Sequence, residues 1–214
     1  AFVTDMNQPL GRAVGNWLEV AEAVECLRGE RGNGDSSSDL MELTHLLAGA
    51  MLRLGKKVPG IAEGIAMSRR TVRSGAAFDK FLQIVIAQGG NPDQVRDCST
   101  YPGSRHVAEV RAEESGFVQE IQVRELGMIS VALGAGREQV SDRIDHKAGM
   151  LIRKKVGDRV EKGDVLVVLF TDRGDRMESA VKRVARAYSI GPERVAKPDL
   201  VYDIVEASGV RAWR

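Results

Sequence analysis

The sequence predicts a mixed α/β (α+β) protein in which a helical part is followed by a β-rich part. Up to about residue 90, apolar residues recur at helical spacing between glycine stops, as they do in amphipathic helices. Beyond Tyr101-Pro102-Gly103, short segments alternate β-branched and polar residues, which is typical of half-buried strands. We therefore divide the chain near residue 100.

The first helix is predicted from its cap. Asn16, followed three positions later by Glu19, is the pair in which each side chain satisfies a main-chain N–H group at a helix start. The helix then continues to Gly29, and the polar, glycine-rich residues 30–38 are predicted to form a loop. Val3, before this helix, is interpreted as the tail of a strand.

Three further helices are predicted in the first part. Asp39 and Glu42 repeat the cap signal, and Gly55 ends the helix that follows them. The other two helices are predicted over residues 60–73 and 76–88. The helix that ends at Gly55 carries one apolar stripe, which consists of Leu40, Leu43, Leu47, Ala50, Met51 and Leu54.

The β-rich part begins with two predicted strands, HVAEVRA and GFVQEI, and a short helix over Arg124–Leu133. The stretch GMLIRKKVGDRVEKGDVLVVLF is predicted to form a strand, a turn and a strand. Within it, VGDRVEKGDVL (residues 156–166) resembles the turn motif of biotinyl and lipoyl carrier domains, in which paired glycines permit tight turns. We therefore predict a barrel-sandwich over residues 104–170.

The chain is predicted to close with a helix and a strand within residues 174–210. The helix carries Met177, Val181, Val184 and Tyr188 on one stripe, and Gly191-Pro192 ends it. The segment DLVYDIVEA follows as the closing strand.

Composition restricts the partners that the chain can bind. Its 31 basic and 30 acidic side chains nearly cancel, and aromatic residues make up 5% of the chain, so the sequence predicts no nucleic-acid binding. No apolar run is long enough to span a bilayer, which predicts no membrane association. Cys26 and Cys98 lie far apart, without a zinc or disulfide pattern, and favour a cytoplasmic location.

Two regions of the sequence, in a fixed order, carry a resemblance to a known family. TDMNQPLGRAVGNWLEVAEAVECLRGE resembles the segment that begins the C-terminal half of pyrimidine-nucleoside and thymidine phosphorylases. ESGFVQEI, LGMISVALGAGR and DHKAGMLIRKKVGDRVEKGDVL resemble the C-terminal domain of those enzymes. The resemblance implies that residues 1–100 belong to the large α/β phosphorylase domain and residues 101–214 to the C-terminal domain.

The resemblance also implies an activity, the cleavage of uridine, thymidine or deoxyuridine by phosphate to give the free base and a pentose 1-phosphate. In that family the phosphate loop and the residues that grip the base precede the TDMNQP segment. No catalytic residue is therefore assigned in this chain. We interpret it as the C-terminal half of a homodimeric enzyme, inactive without its missing N-terminal half, with phosphate and a pyrimidine nucleoside as the ligands of the intact enzyme.

A potassium site is implied at the positions of Leu10, Ala13 and Glu22, completed by two oxygens from the missing half. Leu10 and Ala13 precede the predicted helix, so their carbonyl groups need not enter its hydrogen-bond ladder. Glu19, Glu22 and Glu25 form a like-charged stripe whose repulsion a cation would relieve. The alternative interpretation is an ordinary solvated acidic helix face.

Other classes of function remain open beside the enzyme. One is a non-catalytic binding or assembly module with a lipoyl-like β fold. Another is a biotin or lipoyl carrier, which needs a lysine on an exposed hairpin where this chain continues LFTDRGDR. LGAGR, ending at Arg137, is interpreted as a helix stop rather than a phosphate loop. Trp17 departs from the family, which usually carries a small residue there.

Overall fold

The computed structural model describes residues 1–29, 37–137 and 139–213, and its helices and antiparallel sheets confirm the mixed α/β class. Most of the loop predicted over residues 30–38 lies outside these described residues. Within the described part of the chain, no helix combines the length and the apolar character that crossing a bilayer requires.

The chain divides into two units. One, which we call the sheet unit, consists of residues 1–19 and 103–214, and the other, the helical unit, of residues 20–102. The sequence pattern grouped residues 1–100 together, whereas in the structure the first 19 residues join the β-rich part. They do so because two short strands in this segment pair with strands that occur much later in the chain.

The helices predicted in the first part of the chain are confirmed to within two residues at each end, except for the cap details described below. They are α1 (Asn16–Arg28), which begins in the sheet unit, α2 (Ser38–Leu54), α3 (Ile61–Arg73) and α4 (Ala76–Ala87). A short helix, α5 (Pro92–Arg96), was not predicted, although Asn91 caps it by accepting a hydrogen bond from the Asp93 N–H group at 2.9 Å.

Helix α2 does not bury the stripe that its sequence pattern marked. Its buried positions are His45, Leu46 and Gly49, whereas Met51 and Leu54 of the stripe are 71% and 81% exposed. A Cβ atom on Gly64 of α3 would lie 2.6 Å from the Gly49 Cα atom, so two glycines bring α2 and α3 together on the face opposite the stripe. The helix also begins at Ser38, one residue before the predicted cap Asp39.

The sheet unit contains all the strands of the described chain. They are β1 (Phe2–Thr4), β2 (Ala13–Val14), β3 (His106–Arg111), β4 (Gly116–Ile121), β5 (Gly149–Ile152), β6 (Arg159–Val160), β7 (Val165–Thr171), β8 (Tyr188–Gly191), β9 (Val201–Glu206) and β10 (Gly209–Ala212). They form three antiparallel sheets, with the orders β2-β5-β7-β3, β6-β4-β8 and β1-β9-β10.

One apolar core serves the first two sheets and the helices α6 (Val123–Leu133) and α7 (Gly174–Ala187). Strand β7 lies between β5 and β3, and its residues 166–169 are all buried. Leu126 and Ile129 of α6 and Val184 of α7 are buried in the same core. The burial of these side chains from water is the main force that holds the strands in register.

The predicted end of the last helix is three residues too late. Helix α7 stops at Ala187, and the next four residues form β8, which pairs with β4. Tyr188 is buried, its hydroxyl donates to the Lys154 carbonyl at 3.0 Å, and its burial raises the pKa of the phenol. The apolar stripe of the predicted helix included Tyr188 because this side chain packs into the same core as α7, although it does so from strand β8.

Candidate functional site

The polar run before α1 folds as a turn that is fixed by its own side chains. Asp5 Oδ1 accepts hydrogen bonds from the main-chain N–H group and the side-chain amide of Asn7, at 3.1 and 2.7 Å. The Tyr202 hydroxyl donates to the same oxygen at 3.2 Å, and burial together with the Asp5 charge raises the pKa of this phenol. Some of the polar side chains before α1 therefore stabilise the local fold.

Leu10 lies in the irregular segment between this turn and β2. Its side chain is 40% exposed, while its neighbours Pro9 and Gly11 are buried. Two residues earlier, the Gln8 side-chain oxygen is buried without a hydrogen-bond partner among the described residues. A buried acceptor of this kind normally has a donor or a cation beside it.

Ala13 is buried and lies in β2, the first strand in the order of its sheet, opposite Leu151 of β5. The Ile152 N–H group donates to the Arg12 carbonyl at 2.8 Å, which makes these two residues a hydrogen-bonded pair. Hydrogen-bonded and non-hydrogen-bonded pairs alternate along an antiparallel ladder. Ala13 and Leu151 are therefore a non-hydrogen-bonded pair, and the Ala13 carbonyl points away from β5. The sequence argument expected irregular backbone here, but the strand geometry also turns this carbonyl outward.

Glu22 lies in α1 within the helical unit and is half-buried. Its Oε1 atom accepts a hydrogen bond from the Ser37 hydroxyl at 2.7 Å. Burial, followed by the charges of Glu22 and Glu25, raises the pKa of the Cys26 thiol to about 11. The carboxylates of Glu22 and Glu25 therefore make the surroundings of this helix face negative, which favours a bound positive charge.

The predicted potassium ligands thus fall in two units, Leu10 and Ala13 in the sheet unit and Glu22 in the helical unit. Two carbonyl oxygens and a carboxylate form a hard oxygen donor set, which suits potassium better than a transition metal. In the part of the chain that the structure describes, no cluster of three or more His, Cys, Asp or Glu residues offers a competing metal site. The potassium site stays a prediction.

The entrance of α1 differs from the predicted capping pair. Glu19 Oε1 accepts a hydrogen bond from the Gly15 N–H group at 3.0 Å, one residue earlier than expected. The side-chain amide nitrogen of Asn16 lies instead 2.9 Å from His146 Nδ1. The His146 carbonyl accepts a hydrogen bond from the Trp17 N–H group at 3.0 Å, so a distant turn takes the place of the predicted cap.

That turn, residues 145–149, also meets the α1 entrance through two glycines. Gly15 and Gly149 have φ angles of +139° and +151°. A Cβ atom on Gly149 would overlap the Val14 carbonyl oxygen and lie 2.9 Å from Leu18 Cδ1. Only glycine therefore permits this close approach of the two backbone segments.

The turn is anchored on its other side by Asp172. This carboxylate forms an ion pair with Lys147 and accepts a hydrogen bond from the Arg105 N–H group at 2.8 Å. The Lys147 hydrogen bond, followed by the one from Arg105, lowers the pKa of Asp172. Sequence reasoning missed this group because its members are separated by up to 67 positions and match no local motif.

The two glycine motifs have structural roles. Gly134, with φ at +113°, ends α6 in the left-handed conformation, which confirms that LGAGR is a helix stop. Gly157 and Gly163, at +86° and +93°, form the tight turns of the VGDRVEKGDVL segment. After β7 the chain passes directly into α7, so the carrier-type lysine hairpin is not found at this place.

Comparison with known proteins identifies relatives over nearly the whole chain. The family model described as the pyrimidine nucleoside phosphorylase C-terminal domain matches residues 117–191, and the one described as the glycosyl transferase family a/b domain matches residues 1–78. The chain is 38% identical over 205 residues to a pyrimidine-nucleoside phosphorylase of Bacillus subtilis, a match that covers 96% of this chain and 46% of the relative.

Two further relatives with the same name give similar values. The protein of Geobacillus stearothermophilus is 36% identical over 203 residues, covering 95% of this chain and 46% of the relative. That of Staphylococcus aureus is 35% identical over 205 residues, covering 96% and 46%. The chain therefore spans about half the length of the curated relatives it matches.

Proposed function

Because the chain belongs to the pyrimidine-nucleoside phosphorylase family, we propose that it forms part of an enzyme that cleaves pyrimidine nucleosides with phosphate. A phosphate oxygen attacks the anomeric carbon of the sugar, the bond from that carbon to the base nitrogen breaks, and the base leaves with the bonding electrons. The products are the free base, which takes up a proton, and a pentose 1-phosphate. The enzyme would serve nucleoside salvage in the cytoplasm as a homodimer.

One observation carries this proposal: relatives named pyrimidine-nucleoside phosphorylase match 95–96% of the chain at 35–38% identity. Such a match depends on many positions rather than on one short motif. The matched part is 46% of each relative. We propose that the phosphate-binding and base-binding residues lie in the part of these relatives' length that this chain does not match.

We propose that the chain contributes the potassium site through the carbonyl oxygens of Leu10 and Ala13 and the carboxylate of Glu22. The outward direction of the Ala13 carbonyl and the negative environment around Glu22 support this role. A potassium ion there would supply a fixed positive charge that braces the phosphate-binding loop. The chain itself would hold the ion and provide one wall of the substrate cleft.

The exposed part of the α2 stripe supports the proposal that another protein surface packs against this helix. Leu47, Met51 and Leu54 are 43%, 71% and 81% exposed, and they follow one another along a single helix face. A contiguous apolar face of this kind marks an interaction site more often than scattered exposed residues do. We propose that the N-terminal part of the enzyme covers it.

The test compares two proteins in a phosphorolysis assay: the polypeptide encoded by the whole reading frame, and residues 1–214 alone. We expect the whole polypeptide to release base from uridine, thymidine or deoxyuridine only when phosphate is present, and residues 1–214 to release none. If the whole polypeptide is inactive towards all three nucleosides, the enzyme proposal is wrong. If residues 1–214 are active alone, the proposed division of the site is wrong.

A further inference from the structure

We infer that the turn of residues 145–149 is a positioning element for the proposed potassium site, with His146 as its positioning residue. This inference rests on the proposed function, because it concerns the same cation-binding segment. The turn is 130 positions away from that segment along the chain. It lies entirely within the sheet unit, as do Leu10 and Ala13.

The turn holds the backbone on both sides of the short link between Ala13 and α1. On one side, β5 begins at Gly149, where the turn ends, and pairs with Ala13 and Val14 of β2. On the other side, the His146 carbonyl accepts the Trp17 N–H group at 3.0 Å. The direction of the Ala13 carbonyl is therefore fixed by one attachment to the strand that follows the turn and one to the turn itself.

Side-chain contacts attach the turn to α1 a second time and also fix the turn to the rest of the sheet unit. His146 Nδ1 lies 2.9 Å from the Asn16 amide nitrogen, which donates to it when Nδ1 carries no proton. Beneath the turn, Lys147 pairs with Asp172 while both side chains are about a quarter exposed, and the Ser104 hydroxyl donates to the Lys147 carbonyl at 3.0 Å. A cation site needs ligands that are held in place before the ion arrives, and these contacts supply that restraint.

The consequence is a specific role for His146. His146 is not one of the proposed ligands; its ring acts through Asn16 on the first turn of α1. Loss of the ring should loosen the α1 entrance and weaken potassium binding, without removing any proposed ligand. A residue with only a general structural role would lower stability at every potassium concentration alike.

The experiment uses the polypeptide of the whole reading frame and the variants His146→Ala, His146→Asn and His106→Ala. Asparagine keeps an acceptor near the position of Nδ1, and His106 is an exposed histidine at the start of β3, in the same unit. Two quantities are measured: amide exchange in the peptide that contains Asn16 and Trp17, and the potassium concentration that gives half of the cation-dependent rise in Tm. Choline chloride holds the ionic strength constant.

For His146→Ala we expect about fivefold faster exchange and an about fivefold higher half-saturating potassium concentration, as the loss of one hydrogen bond implies. His146→Asn should restore most of both values, and His106→Ala should change neither. Faster exchange with unchanged potassium dependence would make the turn merely structural and overturn the inference, as would no change in exchange. If the wild-type protein shows no potassium-dependent rise at all, the proposed cation site itself fails, and the inference falls with it.

Discussion

Substitution of Gly149 by alanine tests the close approach of the turn to the α1 entrance. A residue with a side chain at a φ angle of +151° costs about 1–3 kcal/mol in backbone strain. The new Cβ atom would also overlap the Val14 carbonyl oxygen, and moving two packed backbone segments apart costs about 1–3 kcal/mol more. We therefore expect Gly149→Ala to lower the free energy of unfolding of the sheet unit by about 2–6 kcal/mol.

The control is Gly163→Ala, at a φ angle of +93° with no atom within 4 Å of the added Cβ. It carries only the strain of a left-handed residue, about 1–2 kcal/mol. Both tryptophans, Trp17 and Trp213, lie in the sheet unit, so tryptophan fluorescence during urea unfolding reports on that unit. Equal losses in the two variants would show that the overlap with Val14 is not real, and the close approach would have to be abandoned.

Three further predictions concern other residues. Because Lys147 lowers the pKa of Asp172, their pairing stabilises the fold fully above pH 3.8 and is lost as the pH falls below it. Acid unfolding of Asp172→Asn should therefore show a smaller loss of stability below pH 3.8 than the wild type, and equal losses would contradict this. With a pKa of about 11 against an ordinary 9.0, Cys26 should react with iodoacetamide at pH 8 about 100-fold more slowly than in urea. Glu22→Gln should speed this reaction, and an unchanged rate would argue against the influence of Glu22. Lys56 has a φ angle of +54° just after α2, so Lys56→Gly should raise the free energy of unfolding by roughly 0.5–1 kcal/mol in thermal melts, where a decrease would contradict the argument.

Helix positions were predictable because the signals that start and stop a helix are local. Gly29 and Gly55 follow the observed ends of α1 and α2 directly, as the sequence indicated. Which face a helix buries is not a local property. Three residues of the α2 stripe, Leu47, Met51 and Leu54, are exposed because Gly49, a residue that carries no hydrophobic signal, decides where α3 can pack.

Part of the candidate site was proposed from the sequence, and part was recognised only in the structure. The family resemblance named Leu10, Ala13 and Glu22, since it compares aligned positions directly. Nothing in the local pattern indicated that His146 holds the start of α1, because hydrogen bonds between distant segments leave no periodic signal. The end of α7 was missed for the related reason that Tyr188 keeps the helical apolar spacing while pairing in a strand.

The pairing of β1 with β9 has a consequence for the order in which the chain matures. Phe2 lies opposite Ile204, the Val205 N–H group donates to the Ala1 carbonyl at 2.7 Å, and the Phe2 and Trp213 rings meet edge to face, 5.4 Å apart. A ribosome synthesises the chain from its N-terminal end, so β1 emerges about 200 residues before its partner exists. During that time β1 has to stay unpaired or be shielded, and the sheet can close only after synthesis has passed residue 206, which makes its closure a late step.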